Sequence, residues 1–330
     1  MTRPRRRPRH IPKGDTPVPG ETITPPILSP VSSSYLTHSL LHLSWRLQPR
    51  DLTLALLLDE HRTLTTGQIT TVLFSSPRTC RNRLDALRGL RFIDRVLLNR
   101  PGQPLSAHWV PGPLSARYAA LARDERPPTA RALWERQDSI MTTDKLGHLV
   151  GANQFFIDLL ARARTHPGAR LLRWWSARSA AAGHGGLIHP DGHGIWREGG
   201  STAGFYLEHD TGTETHRRLA GKLEQYRSIQ SRGGPSYPVL FWLPSTAREN
   251  NLHRHLAGLT AGVTVATAAR DAANGAGPAG AVWRLAGNGR HRLRLSELPS
   301  RPGKPDTGYD PGPATPDQDP LRLLLPDRTS

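Results

Sequence analysis

The 330-residue sequence holds a single cysteine, Cys80, which excludes an internal disulfide framework and a cysteine-based zinc ribbon. It contains no run of about 18 apolar residues, so no segment is predicted to cross a bilayer as a helix. Acidic residues are few. Against 27 Asp and Glu stand 44 Lys and Arg, a net charge of +17 and an isoelectric point near 11.2. That excess argues against an enzyme of small metabolites and for a polyanionic partner, nucleic acid first. Arginine-favouring codon usage is the alternative source of the charge. No internal repeat is found. The opening MTRPRRRPRH is basic but lacks the apolar stretch of a secretory signal, so a cytoplasmic location is expected.

Composition divides the chain. Residues 1–34 are rich in Arg, Pro, Thr and Ser and are predicted to be a disordered basic tail; residues 299–330, rich in Pro, Gly and Asp, are predicted to be a second one. Between them, DERPPTAR carries Pro127 and Pro128, which disfavour helix. A boundary near Arg126 would separate a domain over residues 45–125 from one over 140–298.

The first domain reads as three short helices and a hairpin. An apolar helix holds Leu52 to Leu58, and LTTGQITTVLF makes a second with Thr65 or Thr66 as cap. A third starts with Ser76 as cap and Pro77 at its first position. Leu84, Leu87 and Leu90 form its buried side, and Arg78, Arg81 and Arg83 lie on its polar side. An alternating pair of strands turning at Arg100-Pro101-Gly102 follows. This pattern resembles a winged helix-turn-helix, which places its third helix in the major groove. Arginine forks suit guanine edges and phosphates. The alternative is a three-helix domain with a solvated charged face.

The second domain centres on residues 187–229. LIHPDGHGIW and AGFYLEHD are short, apolar-rich and bounded by Gly and Pro, which predicts two adjacent strands. Alternation puts His189, Asp191 and His193 on one face, and Tyr206, Glu208 and Asp210 on one face of the next strand. Thr211 and Glu214 have capping-box spacing, so a helix is expected from near Thr215, with Lys222 in phase with Leu223 and Ile229. Lys222 either pairs with the carboxylates or a bound phosphate, or lays its stem on the core and its amine in water. The whole segment reads α-β-β-β-α-β-α-β, an α+β arrangement with a mixed sheet flanked by helices.

Pro190-Asp191, Glu208 and Lys222 resemble the PD-(D/E)xK, restriction-endonuclease-like nucleases. The usual lysine position, two residues after the Glu, holds Asp210 here, so Lys222 would be a migrated lysine. FYLEHDTGTETHRRLAGKLEQY looks like the replication-relaxation family, over roughly residues 50–270. The resemblance implies a DNA-binding protein of plasmid replication or mobilisation, with other proteins of those processes as further partners. If catalytic, it would be a metal-dependent endonuclease: Asp191 and Glu208 hold Mg²⁺, or Mn²⁺ in its place, Lys222 stabilises developing charge, and Asp210 is a further ligand or orients Lys222. Asn153 or Asp158 would reach the site from the first helix. The alternatives are a non-catalytic accessory factor or transcriptional regulator on a degenerate nuclease-like scaffold, and a partner-binding module with no DNA contact. A zinc site from His184, His189, His193 and Asp191 is the rival chemistry.

Overall fold

A computed structural model describes residues 43–98, 106–141, 145–212, 221–256, 262–273, 275, 277–287, 291–304 and 307–324. Helix α1 (Pro49–His61) starts where the Gln48 backbone N–H donates to Asp51 Oδ2 at 2.7 Å. After β1 (Leu64–Thr65), helix α2 (Thr66–Leu73) is closed by a capping box: the Gln68 N–H donates to Thr65 Oγ1, and Gln68 Oε1 accepts from the Thr65 N–H. Helix α3 (Pro77–Gly89) has the expected Ser76 cap, which accepts from the Thr79 N–H, and buries Cys80, Leu84 and Leu87. Strands β2 (Ile93–Leu98) and β3 (Ser106–Pro111) pair antiparallel, with β1 on the other side of β3. The expected turn at Arg100-Pro101-Gly102 lies outside the described residues. Helix α4 (Pro113–Ala122) returns across α1.

Residues 124–129 have no regular structure, in line with their prolines. Helices α5 (Ala130–Met141) and α6 (Lys145–Thr165) follow. Then come β4 (Arg170–Ser176), a short α7 (Ala177–Gly183), β5 (Gly192–Glu198), β6 (Ser201–His209), α8 (Leu223–Ser231), β7 (Val239–Leu243), α9 (Thr246–Leu256), β8 (Val265–Ala269), β9 (Trp283–Leu285) and β10 (Arg292–Leu293). They build one mixed sheet in the order β10-β9-β8-β7-β6-β5-β4. The β5–β6 hairpin turns through Gly199 and Gly200, at φ 60 and 82, a conformation glycine adopts without penalty. Helix crossovers leave β6, β7 and β8 parallel. All five residues of central β7, VLFWL, are buried, as a strand covered on both faces requires. The fold is α+β. The expected helix start near Thr215 lies in residues 213–220, outside the described set; the helix is described from Leu223.

The break in composition near Arg126 does not divide the core. One cluster of buried side chains runs from Leu54 and Leu84 through Phe155 and Trp174 to Trp283. Backbone carbonyls stitch the two parts: Asn153 Nδ2 donates to Thr63 O, Gln68 Nε2 to Val150 O, and Arg164 to Thr71 O and Val72 O.

The expectation of a disordered tail from residue 299 is corrected over 299–304 and 307–324. Ser236 bridges Arg301, and Asp319 pairs with Arg170. Arg173, wholly buried on β4, donates to Gln318 Oε1 at 2.7 Å and to the carbonyls of Gly312 and Pro313 at 3.1 Å. Proline and glycine suppress helix and strand, but these contacts need neither. Residues 1–34 lie outside the described set.

Candidate functional site

Strand alternation and a tight hairpin bring Asp191 next to Glu208. The Asp191 N–H donates to Leu207 O at 2.9 Å, so Asp191 continues β5 by one residue, opposite Glu208 on β6. Glu208 is buried. Its Oε2 accepts from Lys222 Nζ at 2.6 Å and its Oε1 from the Tyr226 hydroxyl at 2.6 Å, both delivered by the start of α8. Asp191 Oδ1 meets His148 Nε2 of α6 at 2.8 Å, and its Oδ2 accepts from the His209 N–H at 2.7 Å. Groups from four elements, β5, β6, α6 and α8, therefore meet where β5 starts and β6 ends.

Burial pushes the Glu208 carboxyl up to about 7, and the Asp191 charge pushes the same way; Lys222 and Tyr226 oppose them. The hydrogen bond to Asp191 raises His148. Burial, then Arg270 and His148, push His209 down to about 3, so its ring is neutral at physiological pH. Its Nε2 lies 3.0 Å from Arg270 Nη1, and the His148 and His209 rings meet edge to face at 5.3 Å.

Asp210 does not join them. Strand β6 ends at His209, so alternation stops there, and the Asp210 carboxylate pairs with Arg248 of α9 and accepts from the Gly212 N–H at 2.8 Å. Asn153 is spent on the His61 and Thr63 carbonyls and Asp158 on Gln154; the α6 residue at the site is His148. The zinc set also disperses. His189 is exposed, whereas His193 is buried among His184, Tyr206 and Tyr237, with its Nδ1 2.9 Å from Phe205 O. Among the described residues, no three His, Cys, Asp or Glu gather to hold a metal.

The donor set does not fit a hard divalent cation. All four oxygens of Asp191 and Glu208 have partners, and the Lys222 ammonium sits on Glu208 where a metal would need to sit. Among the described residues no third carboxylate joins them.

On α3 the three arginines differ. Arg78 and Arg81 are exposed and make no ion pair among the described residues. Arg83 turns back to form a salt bridge with buried Asp51 and donates to Arg46 O at 2.8 Å, tying α3 to the start of α1. Among the described residues no helix is long and apolar enough to cross a membrane.

A family model described as replication-relaxation matches residues 56–238, a little over half of the chain and all of the acidic centre. No curated protein and no solved structure matches.

Proposed function

Because the chain belongs to the replication-relaxation family, which supports a role in plasmid replication or mobilisation, we propose that it acts there as a DNA-binding protein. Residues 45–125 would be a winged-helix reader, and the mixed sheet a nuclease-like scaffold whose acidic centre is closed by its own lysine. The observation that carries this reading is the outward face of α3. Arg78 and Arg81 are exposed and make no ion pair among the described residues, on a chain of net charge +17. A helix after a helix-turn, flanked by an antiparallel pair, is the element that such readers lay in the major groove.

Replacing Arg78 and Arg81 together by Ala touches no buried contact. Anisotropy titrations of a labelled duplex with the full chain, at several salt concentrations, should show affinity about tenfold lower at physiological salt and a salt slope reduced by about two. Equal affinity and equal slope would refute DNA reading by α3. Arg83 is unsuitable for the test, because removing it strands Asp51 in the interior.

Phosphodiester cleavage is the second reading, favoured by the meeting of Asp191, Glu208 and Lys222. It requires Lys222 and Tyr226 to release Glu208. Cleavage of supercoiled DNA by the wild type and not by Asp191→Asn, in Mg²⁺ or Mn²⁺, would establish it; equal rates would leave the closed scaffold.

A further inference from the structure

Helix α1 ends in a backbone conformation that non-glycine residues seldom adopt. Arg62 has φ 69 and ψ −40, and the Thr63 N–H donates to His61 O at 2.8 Å, closing a three-residue γ-turn of the rare positive-φ kind. Such strain persists only where surrounding groups fix it, and it concentrates at functional sites. Here Asn153 of α6 fixes it, donating to Thr63 O at 2.9 Å and His61 O at 3.4 Å.

The turn sets His61 and Arg62 on the wall of a cavity of about 360 Å³ between α1, α5, α6 and β4. Its interior is largely apolar, with Leu133, Ile140, Leu149 and Phe156. His61 is 1% exposed and stacks on Trp174 at 3.6 Å, yet its Nδ1 has no hydrogen-bond partner. Burial pushes its pKa down to about 4, so the ring is neutral at physiological pH. That nitrogen is closed off from the cavity as well as from water, so His61 serves the site by holding the Trp174 ring in place.

Three exposed guanidiniums also line the cavity, those of Arg62, Arg136 and Arg178. Arg178 has Glu60 at 3.5 Å, and Arg136 has Asp59 at 3.9 Å, a carboxylate already paired with Arg123. Among the described residues Arg62 donates to neutral groups, Ser139 Oγ at 2.8 Å and Arg136 O at 3.4 Å. Burial lowers its pKa, and Arg178 and Arg136 lower it further. An anion would relieve that repulsion. Asp191 also lines the cavity, which keeps a second anionic group away from its side and favours a neutral body there.

We propose that this cavity binds one nucleotide unit, its base against the apolar wall beside the stacked His61 and Trp174 rings, and its phosphate among Arg62, Arg136 and Arg178. Guanidinium forks match phosphate oxygens in pairs, and the volume is in the range of small-molecule sites. The unit is either a free nucleotide or a residue of a bound strand; only the latter rests on the DNA-binding reading above.

The test uses the full chain. Calorimetry with deoxyadenosine monophosphate and with inorganic phosphate is run beside anisotropy with a labelled single-stranded oligonucleotide. Saturable nucleotide binding is expected, with phosphate roughly tenfold or more weaker. Arg62→Gly suits the positive φ, so the fold is kept, and should weaken nucleotide binding about tenfold. His61→Phe keeps a ring on Trp174 and should leave nucleotide binding within about twofold. Neither should alter duplex binding through α3. Binding of the mononucleotide but not the oligonucleotide assigns the site to free nucleotide, and the reverse assigns it to a strand. Phosphate binding as tightly as the nucleotide, or no saturable binding of either nucleotide form while duplex is still bound, overturns the proposal. A chain that takes the mononucleotide but no DNA keeps the cavity and loses the DNA-binding reading.

Discussion

Lys222→Met should destabilise the folded chain by about 2 kcal/mol at pH 9 and by little at pH 5. The difference comes from Glu208. Its carboxyl titrates near 7 in the folded chain, raised by burial and by Asp191, against about 4.5 when unfolded. A group raised in this way adds stability in full below about pH 4.5 and loses it as pH rises to about 7; the shift corresponds to roughly 3 kcal/mol. Lys222 is the cation that limits the rise, through its 2.6 Å contact with Glu208 Oε2. Without it the carboxyl titrates higher still, and the loss of stability continues past pH 7. The usual cost of breaking a buried ion pair is discounted here because the lysine side chain is 26% exposed. Glu208→Gln should flatten the pH dependence over the same window. Urea unfolding at pH 5, 7 and 9 reads all three proteins, and parallel curves for wild type and Lys222→Met would defeat the account.

The larger structural effect should come from Gly151→Ala. A β-carbon on Gly151 would overlap the imidazole of His209. That ring cannot retreat easily, since it is buried, meets Arg270 on one side and His148 on another, and its backbone N–H holds Asp191. Overpacking of this kind costs about 3 kcal/mol, a fall in melting temperature of roughly 4 °C for a chain of this size. Gly147, one turn earlier on α6, has open space at its β-carbon position. Gly147→Ala should therefore be neutral or stabilising, because alanine favours helix. Scanning calorimetry separates the two, and equal melting temperatures would show that His209 is not fixed.

Local rules reached the pairing of Asp191 with Glu208, because a glycine turn and a period of two are encoded within about twenty residues. Helical phase placed Lys222 inward, and its amine lies on Glu208. The same rules failed where an element ends. Asp210 lies one residue past β6, and His189 precedes the start of β5, so counting by twos no longer applied to either. His148 and Tyr226 were hidden differently: each lies in an apolar helical stripe, and only the tertiary fold turns its polar end to a carboxylate. Arg83 looked like its neighbours on α3, and its diversion to Asp51 spans 32 positions. The order of the closing segment is not legible in its composition, because its partners on β4 leave no trace there.

That closing segment also sets an order in time. Strand β4 is an edge of the sheet, and Arg173 on it is made 145 positions before the Gln318 that receives it. At about 5–20 residues per second, a ribosome needs roughly 7–30 s to cover that distance. Throughout that interval the newborn edge can pair with a strand of another chain, and a guanidinium bound for the interior stays in water. A polypeptide halted at residue 238 would remain in that condition for good, since it also lacks β7, the strand on which β6 lies. Dilution during synthesis, or a chaperone that shields β4, should therefore matter more to the yield of native protein than any single contact in the finished sheet.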